Sequence, residues 1–108
     1  MVWAKNGTTT LGSGSATIDV SSLTDNKFLM VLTHKISGGD SVVRYKINSD
    51  TGSNYSRRYS ENGAADGTSA STTFIASGYQ YDGFGISYII NISTEEKLVI
   101  YHDVDSNT

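Results

Sequence analysis

The sequence predicts an all-β fold, a single antiparallel β-sandwich domain of jelly-roll-like form spanning residues 1–108. Short stretches of β-branched, aromatic or alternating residues recur along the chain, and Gly, Asn, Asp or Ser residues bound each of them. Helix-forming runs are nearly absent, since the one short candidate, residues 95–98, has β-branched neighbours. Because about eight such strands follow one another without helices, a sandwich or barrel is favoured over alternating strands and helices.

The predicted strands of the N-terminal half cover residues 2–5, 8–11, 16–20, 28–36 and 42–48. Segment 28–36 is the strongest, and its nearly continuous apolar residues predict a central strand that is covered on both faces. Segment 42–48 alternates, so that Val43, Tyr45 and Ile47 share one face. The glycine-containing residues 37–40 predict a hairpin turn between these two strands.

The predicted strands of the C-terminal half cover residues 55–59, 72–76, 84–92 and 98–104. Residues 93–96 predict a hairpin loop between the last two, and residues 60–68 a long surface loop. Alternation then predicts the core. The side chains expected to be largely buried are Phe28, Met30, Leu32, Val43, Ile47, Ile86, Tyr88, Ile90, Leu98 and Ile100.

Composition excludes several classes of function. The net charge of −3 argues against a nucleic-acid surface, which needs a basic stripe to neutralise phosphates. No apolar run approaches the roughly 20 residues of a membrane-spanning helix, and the N-terminus lacks the pattern of a signal peptide. Synthesis in the cytoplasm is therefore expected. The chain has no cysteine, which excludes disulfides, and no proline to protect strand edges, so Lys, Arg and Gly or another subunit must protect them.

Catalytic and metal-binding arrangements are not expected, and no cofactor is predicted. His34 and His102 each lie inside a predicted strand, in phase with apolar residues, and neither has a converging third ligand or base. Residues 48–54 offer oxygen atoms at alternate positions, somewhat like a calcium loop, but contain one carboxylate. The preferred interpretation is a turn in which Asn and Asp accept backbone hydrogen bonds.

Tyrosine and arginine supply the candidate binding residues. The candidates for a ligand site or an interface are Tyr55, Arg57, Arg58, Tyr59, Tyr79, Tyr81 and Asp82. Exposed Tyr rings beside polar groups can stack on sugars, and Tyr and Arg are also enriched in protein interfaces. The third interpretation is that these tyrosines simply pack strands at the rim of the sheet.

Several blocks of the chain together resemble a known group of proteins. They are Gly-Thr-Thr-Thr-Leu-Gly-Ser at 7–13, Lys-Phe-Leu at 27–29, Arg-Tyr at 44–45, Asn-Ser-Asp-Thr-Gly-Ser-Asn-Tyr at 48–55, Arg-Arg at 57–58, Asn-Gly at 62–63, Asp-Gly-Thr at 66–68, Tyr-Ile-Ile-Asn-Ile at 88–92 and Glu-Glu-Lys-Leu at 95–98. In these blocks the chain resembles small β-sandwich proteins encoded among the virion genes of tailed bacteriophages, notably marine ones.

The resemblance implies a virion component, such as a tail-fibre, appendage or capsid-surface module. The expected partners are other copies of the chain, for example in a trimer, or other virion proteins, with host surface glycans as a further contact. The proteins that the chain resembles continue past its end, so either the final strands of the sandwich are missing or another chain supplies them. The alternative function is a free-standing, lectin-like carbohydrate-binding module, and an enzyme is the least favoured class.

Overall fold

The computed structural model describes residues 2–13, 17–36, 43–75, 77–78, 82–92 and 94–106. These residues form strands and no helix, which confirms the all-β prediction. The strands are β1 (Phe28–Lys35), β2 (Val43–Arg44), β3 (Tyr55–Tyr59), β4 (Gly67–Thr72), β5 (Ser77–Gly78), β6 (Gly83–Ile90) and β7 (Leu98–Asp105). A helix long and apolar enough to cross a bilayer is not found in this part of the chain.

The main sheet has three antiparallel strands in the order β1-β6-β7. Its register runs from Phe28 opposite Ile90 to Lys35 opposite Gly83, and β7 continues it with Leu98 opposite Ile90. Among the described residues β6 is therefore the central strand and β1 lies at an edge. The prediction that segment 28–36 forms the central strand does not hold among the described strands, because an apolar run does not show which neighbours a strand pairs with.

Two smaller antiparallel pairs complete the described structure: β3 with β4, and β2 with β5. The β3–β4 hairpin is closed by a tight turn in which Asn62 and Gly63 both have positive φ, and the N–H of Ala64 donates to the carbonyl of Glu61 at 2.8 Å. Asn-Gly in this conformation gives the backbone twist that suits a hairpin. β2 pairs with β5 and not with β1, so the described strands do not show the hairpin predicted there; its turn, residues 37–40, lies outside the described residues.

The N-terminal strand predictions are wrong for the described residues, because 2–13 and 17–26 contain no strand. Side chains satisfy backbone groups there instead of a ladder. The amide of Asn6 donates to the carbonyl of Thr24 and its oxygen accepts from the N–H of Thr24, both at 2.9 Å. The hydroxyl of Thr9 donates to the carbonyl of Asp19 at 2.8 Å.

The strand predicted at 72–76 is also misplaced. The observed strand β4 covers Gly67–Thr72, so it begins in the last two residues of the loop predicted at 60–68 and ends at the first residue of the predicted strand. This strand has small polar side chains and no apolar alternation, so the turn at Asn62 and Gly63 is its clearest sequence signal. The predicted strand at 42–48 is shortened to Val43–Arg44, although the carbonyl of Tyr45 still accepts a hydrogen bond from the N–H of Ile75 at 3.0 Å.

The two faces of the main sheet differ in chemistry. One face, the inner face, is made of alternate residues and is directed towards Tyr45 and β3. It consists of Leu29, Val31, Thr33, Lys35, Gly83, Gly85, Ser87, Ile89, Val99, Tyr101 and Asp103, with Asp105 in the same phase. The opposite face, called the apolar face below, consists of Phe28, Met30, Leu32, His34, Phe84, Ile86, Tyr88, Ile90, Leu98, Ile100, His102 and Val104.

The predicted core lies largely on the apolar face and is not buried. Phe28, Leu32, Tyr88, Leu98 and Ile100 are exposed. Met30, Ile47, Ile86 and Ile90 are half-buried, and the side chain of Val43 lies outside the described atoms. Ser87 and Gly85, on the inner face, are the buried residues of β6. Alternation correctly predicts which residues share a face, but it cannot show which face meets another layer.

Candidate functional site

The Tyr–Arg segment predicted as a binding site forms β3. Alternation directs Tyr55, Arg57 and Tyr59 to its half-buried side and leaves Ser56 and Arg58 exposed. A binding surface built on tyrosine rings needs those rings to face solvent or a partner. The two tyrosines of β3 are instead turned towards the protein.

The phenol group of Tyr55 contacts the backbone of the turn that precedes β3. The N–H of Ile47 donates to the phenol oxygen of Tyr55 at 3.3 Å, and the carbonyls of Ile47 and Asp50 lie 3.5 Å from the same atom. These contacts tie the turn at 47–54 to the half-buried side of β3. The packing interpretation is therefore the one that fits Tyr55.

Arg57 and Tyr59 belong to a stack of guanidinium groups and rings. The Cζ atom of Arg57 lies 4.6 Å from the ring centre of Tyr59 and 4.9 Å from that of Phe74. Arg44 Cζ also lies 4.9 Å from the ring of Phe74. Such cation–π contacts stabilise a charged group that is partly withdrawn from water. The stack joins β2, β3 and the segment after β4.

Arg58 points to solvent and pairs with Asp66 across the β3–β4 turn. Its Nε–H donates to Asp66 Oδ2 at 2.7 Å, and a second guanidinium nitrogen contacts the same oxygen. Both side chains are largely exposed, so this ion pair contributes little to stability. It gives Arg58 a partner within its own hairpin.

The structure describes only one of the three remaining predicted site residues. Tyr79 and Tyr81 lie outside the described residues. Asp82 is exposed just before β6, and its carbonyl accepts a hydrogen bond from the N–H of Ser106 at 2.8 Å. Of the predicted set, the structure thus brings Tyr55, Arg57 and Tyr59 to one side of β3.

Tyr101 is a residue of this region that the sequence analysis missed. It lies on the inner face of β7, within electrostatic range of Arg57 and Tyr59. Burial of the phenol raises the pKa of Tyr101, the charge of Arg57 opposes the rise, and the carboxylate of Asp103 adds to it. The two-residue alternation of the strand could have identified Tyr101 from the sequence. Tyr101 does not alternate in phase with Leu98 and Ile100, so it lies on the other face of the strand.

The loop considered for calcium is a hydrogen-bonded turn. Asp50 accepts from the N–H of Gly52 at 2.8 Å, and the amide of Asn54 donates to both of its carboxylate oxygens at 3.1 Å. The Asn54 amide and then the Gly52 N–H lower the pKa of Asp50. Within the described ranges no three acidic, Cys or His residues come together as a metal site would require. The structure therefore shows the turn that the sequence analysis preferred.

The apolar face is the second candidate site. Its strand register forms rows across the sheet: His34, Phe84 and Val104; Leu32, Ile86 and His102; Met30, Tyr88 and Ile100; and Phe28, Ile90 and Leu98. The two histidines lie in phase with apolar residues, as predicted, and both are exposed. Trp3 lies at the Phe28 end, where it lines an open groove with Phe28, Tyr88, Ile90 and Ile100.

The exposed apolar area of this face is at the upper end of what monomeric proteins show. Seven of its side chains, the apolar and aromatic ones at its rim and centre, are between 41% and 71% exposed. Because a full aromatic side chain presents about 150–250 Å² and an aliphatic one less, half exposure of seven gives roughly 500–700 Å². The largest apolar patch of a typical monomer is about 300–600 Å². The apolar face is therefore at or above the upper end of that range, where the largest patch of a protein is often functional.

Comparisons with models of protein families, with curated proteins and with solved structures give no match.

Proposed function

We propose that the protein is a non-enzymatic structural subunit whose apolar face is buried against protein in a larger assembly. One observation carries this proposal: seven apolar and aromatic side chains, each 41–71% exposed, lie on one three-stranded face while the opposite face is turned inwards. Covering that area removes apolar surface from water, the dominant favourable term in protein association.

A partner on the apolar face also gives the main sheet a packed layer on each side. The described strands form a three-stranded sheet and two short pairs, with Tyr45 and β3 on the inner side. A jelly-roll-like sandwich needs apolar sheet faces packed about 10 Å apart. In this proposal a partner supplies the second layer on the apolar face. Because its sequence blocks resemble those of phage virion proteins, we propose a tailed-phage particle as this assembly.

A protein partner suits this surface better than a glycan. Sugar sites combine an exposed ring with hydrogen-bonding side chains next to it. Tyr88 is the one ring on the apolar face with a hydroxyl, and its neighbours across the strands are Met30 and Ile100. The described tyrosines of the predicted sugar site, Tyr55 and Tyr59, are half-buried. The lectin-like alternative therefore gains no support from these residues.

The test compares carbene footprinting of the isolated protein with footprinting of particles purified from cells that carry the gene. Phe84, Ile100 and Val104 should be labelled in the isolated protein and protected several-fold in the particle. Glu61 and Asn62, in the β3–β4 turn, serve as the exposed control and should be labelled equally in both. Equal labelling of the apolar face in both samples, or absence of the protein from particles, would contradict the proposal.

A further inference from the structure

We infer that the partner on the apolar face is a second copy of this chain, packed face to face about a twofold axis. This inference rests on the proposed function and names its partner. Three observations support a second copy: the area of the face, the absence of charge on it, and the different shapes of its two ends.

The area fits a dimer. A stable interface of standard size buries about 800 Å² on each partner. The exposed side chains of the apolar face present roughly 500–700 Å² by themselves, before the half-buried Met30, Ile86 and Ile90 are counted. A second copy of the same sheet has the same length and width, so it matches the apolar face in extent.

The charge distribution permits self-pairing. The apolar face contains no Asp, Glu, Lys or Arg, although the chain as a whole carries a net charge of −3. Charged residues of the same strands, such as Lys35 and Asp103, alternate to the other side. Two copies can therefore meet on this face without placing like charges opposite each other, a juxtaposition that costs several kcal/mol in other interfaces.

The two ends of the face differ, with a groove at one end and exposed side chains at the other. At one end Trp3, Phe28 and Ile100 line the open groove. At the other end Phe84 and Val104 are exposed in the last row. A twofold axis between the rows of Ile86 and Tyr88 brings Phe84 of each copy to the groove of the other. Such an isologous contact forms twice and closes the assembly as a dimer.

The first experiment is sedimentation equilibrium of the full chain across the micromolar range. The wild type should have twice the 11.6 kDa chain mass. Ile100→Glu should be monomeric at concentrations where the wild type is dimeric, because a carboxylate in the apolar interface would lose its water. The matched control is Ile18→Glu, since Ile18 is exposed to a similar degree, lies outside the apolar face and should leave the dimer intact. Circular dichroism checks that both variants fold.

The second experiment does not depend on a disruptive variant. The chain has no cysteine, so a single cysteine can be placed near the proposed axis by Ile86→Cys or Tyr88→Cys. A short bis-maleimide reagent should link each of these variants to its own copy in high yield, and Ile18→Cys should stay unlinked. A wild type that is monomeric at all concentrations, a dimeric Ile100→Glu, or a dimer without these cross-links would each overturn the inference. Protection of Phe84 and Ile100 in particles, with a monomer in solution, would keep the proposed function and assign a different partner.

Discussion

The hydroxyl of Thr33 in β1 lies 3.0 Å from the phenol oxygen of Tyr45, and this hydrogen bond joins the inner face of the main sheet to the segment after β2. Thr33 also reaches the carbonyl of Gly85 at 3.4 Å. The layer between the main sheet and the small strand pairs is therefore held partly by polar and aromatic groups. The more apolar face of the same sheet is directed outwards, where a partner can bury it.

We expect Thr33→Val to lower the free energy of unfolding by about 1 kcal/mol, the usual contribution of one hydrogen bond. Tyr45→Phe removes the other partner and should cost a similar amount. If the two groups bond to each other, the double variant should cost less than the sum of the single variants. Urea unfolding measures all three, and strictly additive costs would show that the pair does not interact.

Gly85→Ala should destabilise the fold by about 1–3 kcal/mol, because an added methyl group overpacks this position. A Cβ atom at Gly85 would lie 2.7 Å from the hydroxyl oxygen of Thr33 in a buried part of β6. The matched control is Gly12→Ala, since nothing lies within 4 Å of a Cβ there. Combining Gly85→Ala with Thr33→Ala should recover part of the loss in thermal unfolding. Equal melting temperatures for the Gly85 and Gly12 variants would contradict the close approach.

The Asp50 turn should make stability depend on pH in the acid range. The Asn54 amide and the Gly52 N–H hold the pKa of Asp50 below its ordinary value of 3.8 in the folded protein. A carboxyl group with a lowered folded pKa stabilises the fold above its unfolded pKa, and this contribution is lost as the pH falls through the lower, folded value. Asp50→Asn should therefore flatten the decline of melting temperature below pH 4. Identical acid profiles for the variant and the wild type would contradict this role.

Tyr101 should give the opposite dependence in the alkaline range. Burial raises the pKa of Tyr101 above its ordinary value of 10.0, so the folded state favours the neutral phenol. Its contribution to stability is complete below pH 10 and is lost as the pH rises through the higher, folded value. Absorbance titration of the phenols should show one tyrosine that ionises late, and Tyr101→Phe should remove it. Persistence of the late phenol in Tyr101→Phe would assign it to another tyrosine.

The strong strands could be predicted because their signals are local. Segments 28–36, 84–92 and 98–104 became β1, β6 and β7 with shifts of one or two residues at their ends, and 55–59 coincides with β3. Predictions failed where backbone groups form hydrogen bonds with residues distant in sequence, because a local pattern does not indicate such partners. Asn6 and Thr24 bond to each other across 18 residues of chain, and β4 pairs with β3 although its side chains are small and polar.

The candidate site was predicted from the residue types of its segments. Residue type does not show whether a side chain points to solvent or to the rest of the protein. Tyr55, Arg57 and Tyr59 share a face as alternation requires, but that face is turned to the protein, where the Arg57 guanidinium stacks on Tyr59 and Phe74. The apolar face was predicted as a set of residues and assigned to the interior. Hydrophobicity alone favours burial, and it is satisfied equally by a core and by an interface with another chain.

By itself, the sequence determined the β character of the chain, the extent of its strongest strands and the residues that share each face, because these follow from local conformational preference and the two-residue period of a strand. Only the tertiary structure decided that β6 is central, that Thr33 and Tyr45 meet on the inside, and that Phe84 and Ile100 face outwards. Strand order and the direction of each face depend on pairing between residues distant in sequence. The free energy that decides them comes from contacts throughout the fold, and no single segment determines it.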